Sequence, residues 1–285
     1  MPELPEVETV RRGLQPALEG ARLTRVQANR SDLRFPLPEN FVRRLTGARI
    51  ERLGRRGKYL TAALDSGETL AMHLGMSGRF TIIGAERQAE RFHYAPAVDA
   101  AHTHVVFETE AGARVEYNDP RRFGYMTLME TVGLEMHPLF VGMGPEPLGN
   151  EFGAATLAAA FARRKQNVKA TLLDQRVVAG LGNIYVCEAL HCAAVSPRRA
   201  AGRVTGAGRE ALSAAIRAVL EAAIEAGGSS LKDYAQADGA LGYFQHRFAV
   251  YDREGAACPR AGCGGVVRRI VQAGRSTFFC PRCQH

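Results

Sequence analysis

Four of the six cysteines of this chain stand after residue 257, in two close pairs. Four residues separate Cys258 from Cys263, and two separate Cys280 from Cys283. Between the pairs, VVRRIVQAGRSTFF reads as strand, turn, strand. A hairpin that joins two thiol pairs supplies the four soft ligands of a tetrahedral zinc ion. In a reducing compartment such clustering points to metal rather than to disulfides. All four positions are cysteine, so no coordination site is left open for catalysis. One structural Zn2+ is expected, holding a segment too small to have a core of its own. Arg275, beside Gly274 at the hairpin turn, can reach a phosphate or can be a plain exposed turn arginine; its neighbours leave both open. Cys187 and Cys192 lie in a helical, partly apolar stretch and read as buried core thiols.

The remainder is long enough for a second kind of structure. A chain of 285 residues, 46% hydrophobic, suits two domains or one domain with appendages. Leu4, Val7, Val10, Leu14 and Leu18 recur at spacings of three and four, which predicts an N-terminal helix that Pro16 ends or kinks. From about residue 22 to 130 the pattern changes to short strands with turn punctuation, as in KYLTAAL (58–64), TLAMHL (69–74), RFTII (79–83), THVVFE (103–108) and ARVEY (113–117). Strands at this spacing predict a sandwich or barrel. The Gly- and Pro-rich stretch that follows marks a linker. Beyond it, residues 207–226 carry an apolar stripe (Leu212, Ile216, Val219, Leu220, Ala223, Ile224) that stops at Gly227-Gly228, and residues 229–243 read as a long loop. The expected organisation is a domain over 1–133, a linker over 134–152, a helical domain over 153–246 and a ribbon over 247–285.

Net charge is +8. Basic pairs are spread over the whole chain: Arg43-Arg44, Arg55-Arg56 with Lys58, Arg121-Arg122, Arg163-Arg164-Lys165, Arg198-Arg199 and Arg268-Arg269. Each alone is an ordinary solvated face, and together they fit a long phosphate track. The opening MPELPEVETV has three glutamates and no apolar run, so it is no signal peptide. No stretch approaches a membrane span. A soluble, cytoplasmic, monomeric protein is expected.

The N-terminus is a chemical group in its own right. Methionine is commonly removed ahead of proline, which exposes the secondary amine of Pro2. An α-amine ordinarily titrates near pH 8, leaving roughly a tenth neutral at pH 7. A neutral amine can attack an anomeric carbon and form a Schiff base. Glu3 and Glu6 lie within reach for proton transfer. Helices also begin with Pro and Glu because both suit a first turn. On these residues alone that plain helix start accounts for the pattern.

Six segments in order change the balance: PELPEVETVRRGL, HLGMSGRF (73–80), DPRRFG (119–124), GLGNIYVCEAL (180–190), GGSSLKDY (227–234) and the cysteine cluster. From Pro2 to the last cysteine the chain resembles bacterial formamidopyrimidine-DNA glycosylase, the 8-oxoguanine repair enzyme. The resemblance implies an α+β multidomain protein: a helix-fronted β-sandwich, a helical domain with a helix–two-turn–helix element, and a zinc ribbon. It implies a partner, double-stranded DNA containing oxidised purines, and base excision followed by strand cleavage through a Schiff base on Pro2. Glu3 then assists ring opening and proton transfer, and Glu6 supports the site. Lys58, His73, Asn183 and Arg275 match positions that grip phosphates around a flipped nucleotide, and Lys165 is a further DNA contact. Met76, Arg121 and Phe123 match the set that fills the gap in the duplex. Ser229 opens the loop that closes over the damaged base.

Physical reasons accompany these roles. A base inside a duplex cannot present its sugar C1′ to an amine, so it must be flipped out. Asn183 follows the GLG turn at a helix start, which favours an anion. An apolar wedge must replace the lost stacking. One departure stands out: the first cysteine pair is spaced by PRAG, where the family usually has two residues. Two rival readings remain at this point. One is an endonuclease VIII-like enzyme for oxidised pyrimidines, which Leu4 and the Met/Arg/Phe set disfavour. The other is a damage-binding protein without catalysis, which Pro2, Glu3 and Lys58 disfavour.

Overall fold

The computed structural model describes residues 1–83, 99–229 and 242–285. The chain divides into two compact units, Met1–Val141 with Ala226–Gln245, and Gly142–Glu225 with His246–His285.

The first unit opens with helix α1 (Leu4–Leu18). Its apolar stripe Leu4, Val7, Val10, Leu14 and Leu18 is at most 3% exposed and packs on the sheet strands β2 (Ile50–Arg56) and β3 (Tyr59–Leu64). Pro16 does not end α1, which runs on to Leu18, so that half of the expectation does not hold. The helix stops two residues later, so the ring disturbs only its last turn. The Glu19 amide still bonds the Gln15 carbonyl at 3.0 Å, and Leu18 is held in the core.

Two antiparallel sheets follow. One has the order β1-β6-β7-β5, from Leu23–Ala28, Thr103–Thr109, Arg114–Asn118 and Arg79–Ile83. The other has the order β2-β3-β4-β8, with β4 at Glu68–His73 and β8 at Tyr125–Glu130. Between α1 and the first hairpin lies a short helix, α2 (Phe41–Leu45). Alternation puts one set of residues inward from each sheet. Val26, Phe107, Val115, Tyr117 and Phe80 meet Leu53, Leu60, Leu70, Met72 and Met126 in one core, with α1 closing it. Of the sandwich or barrel that the strand pattern predicts, this is the sandwich, as the family resemblance implies. Residues 226–245 return to this unit. Their ends are zipped by bonds from Tyr243 N to Ala226 O at 3.0 Å and Phe244 N to Gly228 O at 3.1 Å. Most of the expected 229–243 loop, residues 230–241, lies outside the described residues.

The second unit is helical around α5 (Asn183–Cys192), which packs on α4 (Val168–Leu173), on α6 (Gly206–Glu225) and on strand β10 (Arg275–Phe279). Helix α3 (Ala154–Phe161) packs on α6. Every residue of α5 from Asn183 to His191 is buried. Its only buried carboxylate, Glu188, accepts the backbone amides of Ala249, Val250 and Tyr251 at 2.8–3.0 Å, which pins the start of the ribbon to the helix. Cys187 is buried as expected, but Cys192 is exposed. It is the last residue of α5, where the helix leaves the core. The hairpin β9 (Arg268–Gln272) and β10 turns through Ala273 and Gly274, both at positive φ (48° and 70°). Positive φ at both central residues is the signature of a type I′ turn.

Candidate functional site

In the first unit α1 presents its N-terminus. Pro2 is buried, and Glu3 and Glu6 are 4% and 2% exposed. Among the bonds of the Glu6 carboxylate are two of 2.8 Å. Oε2 accepts the Glu3 amide, and Oε1 accepts the Ser229 amide. The first caps the helix start, where amides lack intrahelical acceptors. The second ties the foot of the 229–243 loop to that same turn. Glu6 thereby ties the start of α1 to Ser229, and Glu3 stands next to Pro2.

Lys58 sits at the β2–β3 turn, buried, directly before Tyr59, which pairs across the sheet with His73. Arg55 on β2 bonds the Gly57 carbonyl at 2.9 Å and meets the Glu8 carboxylate of α1 at 3.4 Å, so the turn that carries Lys58 is registered against α1. Burial, with help from the charges of Lys58 and Arg34, holds His73 down at about 4. His73 is therefore neutral near pH 7. Its Nδ1 accepts the Gly75 amide at 3.0 Å, and its ring stacks on Tyr125 with centroids 5.4 Å apart. The proton is left on Nε2, a donor suited to a phosphate oxygen.

Met76, Arg121 and Phe123 come from two loops that interlock. Asp119, fully buried, accepts the Ser77 hydroxyl at 2.5 Å and the Gly124 amide at 2.8 Å, and Ser77 Oγ in turn accepts the Arg121 amide at 3.2 Å. Approach is close enough that a Cβ on Gly75 would stand 2.3 Å from the Phe123 and Gly124 backbone, and one on Gly124 would stand 1.8 Å from the Tyr117 hydroxyl. Arg122 takes a left-handed φ of 53° between them. At the tip, Phe123 is 44% exposed and the Arg121 guanidinium lies 5.2 Å from its ring centroid. A half-buried Met76 and an exposed, stacked Arg/Phe pair thus stand on one rigid footing.

The second unit holds Lys165, Asn183, Arg275 and the cysteines. Gln175 shapes the turn before α5, accepting the Gly180 amide at 2.8 Å and donating to the Leu181 carbonyl at 2.9 Å. Asn183 then starts α5 and donates Nδ2 to the Ser276 carbonyl at 3.0 Å, beside the exposed Arg275. Lys165 is exposed in the α3–α4 connection. Sequence reasoning passed over Lys169. It is fully buried, and its ammonium donates to Thr277 Oγ1 at 2.6 Å and to the Ser276 carbonyl at 3.1 Å. Two side chains, Lys169 from α4 and Asn183 from α5, thereby fix the strand that carries Arg275. Of the basic pairs read as a phosphate track, Arg44 is committed to Glu68 and Arg55 to Glu8.

The four cysteine sulfurs converge within 4.8 Å of one another. Cys258 and Cys283 are 3.8 Å apart, and Cys263 and Cys280 are 3.6 Å apart. A tetrahedron with Zn–S of about 2.3 Å has edges of about 3.8 Å, so the donor set fits zinc. Gly265 makes room for it, since a Cβ there would stand 2.6 Å from the Cys280 sulfur. At Cys280 burial acts upward, but the amides of Cys283 and Arg282 outweigh it and bring the thiol down to about 7. Burial and the neighbouring sulfurs push Cys283 up to about 12. Zinc must displace that proton, so its hold weakens in acid.

Three family models match in order: the formamidopyrimidine-DNA glycosylase N-terminal domain over residues 1–126, the H2TH domain of the same glycosylases over 143–235, and a zinc finger found in FPG and IleRS over 255–285. The chain belongs to the formamidopyrimidine-DNA glycosylase family. The formamidopyrimidine-DNA glycosylase of Phenylobacterium zucineum is 64% identical over 287 residues, covering 100% of both chains. That of Caulobacter sp. (strain K31) is 63% identical over 286 residues, again covering 100% of both. The crystal structure of the Thermus thermophilus family protein superposes with a TM-score of 0.83 at 41% identity, covering 99% of this chain and 98% of that one. A Lactococcus lactis family protein, solved in complex with DNA containing an abasic site, gives 0.86 at 33% identity, with 99% of each chain covered.

Proposed function

We propose that this protein is a base-excision repair enzyme. It removes oxidised purines, 8-oxoguanine and formamidopyrimidines, from duplex DNA and then cleaves the strand as an AP lyase. The observation that carries the reading is full-length identity above 60% to named glycosylases, with Pro2 and Glu3 buried at the head of α1. Once Met1 is removed, the Pro2 nitrogen attacks C1′ of the flipped nucleotide as the base departs. Glu3 delivers a proton to the ring oxygen as the sugar opens, giving an iminium. Loss of a C2′ proton then expels the 3′ phosphate, and a second elimination expels the 5′ phosphate. Lys58, the neutral His73, Asn183 and Arg275 hold phosphates, while Met76, Arg121 and Phe123 occupy the vacated stack. Lys165 adds a phosphate contact in the second unit. Zinc, when bound, supplies no chemistry beyond holding the β9–β10 hairpin and its Arg275. No helix among the described residues is long and apolar enough to cross a membrane. Such an enzyme works on the chromosome, in the nucleoid of the cytoplasm.

Borohydride reduction during turnover tests the scheme. A covalent enzyme–DNA adduct at Pro2 is expected, and Glu3→Gln should bind lesion DNA without excising the base. An adduct mapped to Lys58 or any other lysine would overturn the assignment of the nucleophile.

A further inference from the structure

The first zinc knuckle is longer than pairing requires. Pro259, Arg260, Ala261 and Gly262 stand between Cys258 and Cys263, against two residues between Cys280 and Cys283. The added length carries Arg260 to the C-terminal end of α5. There its guanidinium donates to the His191 carbonyl and, at 3.2 Å, to the Cys192 carbonyl. Carbonyls at a helix end have no intrahelical amide to bond and carry partial negative charge, so a cation is favoured there. From the same turn of α5 the His191 side chain, 6% exposed, brings Nε2 to 3.4 Å from the Cys258 sulfur. A zinc-bound thiolate has no hydrogen to give. Across this contact the imidazole must be the donor, with its proton on Nε2.

We propose that His191 and Arg260 form the outer sphere of the zinc site and latch the longer knuckle to the end of α5. His191 donates to the Cys258 sulfur and draws electron density from it. Arg260 holds the knuckle at the distance that donation needs. Two effects follow. Zinc leaves more slowly, because the Cys258 arm is held by a bond besides the metal. Cys258 is also less nucleophilic than it would be without this donor, because a lone pair is engaged. Neither residue touches DNA in this scheme; both are positioning residues for the metal.

The experiment uses the full-length, zinc-loaded protein and an excess of a chromogenic chelator. Release of zinc is followed in the parent, His191→Leu, His191→Gln and Arg260→Ala. Outer-sphere partners typically contribute ten- to a hundredfold to metal retention. His191→Leu should therefore release zinc at least about tenfold faster. His191→Gln, which keeps an N–H donor, should recover most of the loss, and Arg260→Ala should be faster than the parent. In parallel, N-ethylmaleimide labelling with peptide mass spectrometry should find Cys258 modified earlier in His191→Leu than in the parent. Leu and Gln variants that release zinc equally fast would show that packing, not donation, was lost, and would overturn the proposal. So would release within twofold of the parent in Arg260→Ala, the variant to rely on if His191→Leu does not fold.

Discussion

Replacing Asp119 with alanine would strand the donors that join the two wedge loops. The Gly124 amide and the Ser77 hydroxyl both end on its carboxylate, at 2.8 and 2.5 Å, in a place fully closed to water. A buried donor left without an acceptor costs about 1–3 kcal/mol. The amide cannot turn away, whereas the hydroxyl can rotate, so the pair should cost about 3 kcal/mol. That is a large share of a stability of roughly 5–15 kcal/mol. Asparagine is the sharper comparison. Its oxygen can keep the Gly124 amide, and Ser77 can rotate to accept from the new NH2. Only the charge assistance is lost, about 1 kcal/mol. Denaturant unfolding should therefore rank parent, Asp119→Asn, Asp119→Ala. Single-turnover excision should follow the same order, because Met76 and the Arg121/Phe123 pair stand on this anchor. An alanine variant within about 1 kcal/mol of the parent, or one no less stable than the asparagine variant, would refute the reasoning.

Three further outcomes are expected. His73 titrates at about 4 in the folded protein against 6.5 unfolded, so below pH 6.5 the unfolded chain takes up the proton first and stability falls as pH drops towards 4. Unfolding measured at pH 7.5 and 4.5 should show about 2–3 kcal/mol more loss in the parent than in His73→Phe; equal losses would contradict the buried neutral ring. Ala273 sits at φ 48° in the hairpin turn, and Ala273→Asn should gain about 1 kcal/mol in a melting experiment, a gain absent if the turn is unstrained. Arg121→Ala should mainly slow excision opposite cytosine, whose O2 and N3 accept from a guanidinium, and flatten a cytosine-to-adenine preference of about ten- to a hundredfold; an unchanged ratio of single-turnover rates would remove Arg121 from base reading.

Much of this was legible in the residues because its signals are local. Short segments at regular spacing with turn punctuation marked the sandwich strands, apolar stripes at helical spacing marked α1 and α6, and cysteine spacing marked the zinc ligands before any sulfur was placed. What escaped was burial decided at long range. Asp119 looks like a loop residue until Ser77 is found beneath it, 42 positions away. Lys169 reads as one more surface lysine, since its acceptors lie 107 and 108 positions along the chain. His191 lies 67 positions from the sulfur it meets. Cys192 was misplaced for the converse reason: periodicity marks the helix but not the turn at which it leaves the core. Pro16 shows that a helix breaker has little to break two residues from a helix end.

The bond from Glu6 to Ser229 spans 223 positions, and it has a consequence for the order of events during synthesis. At about 5–20 residues per second, the ribosome needs roughly 10–45 s to travel from one partner to the other. Through that interval the first turn of α1 cannot be closed over by the segment that finally braces it. Trimming of Met1 ahead of Pro2 thus has its opening early, on a nascent chain whose end is still bare. The last-made part of the unit then braces the turn behind Met1, which itself stays 49% exposed.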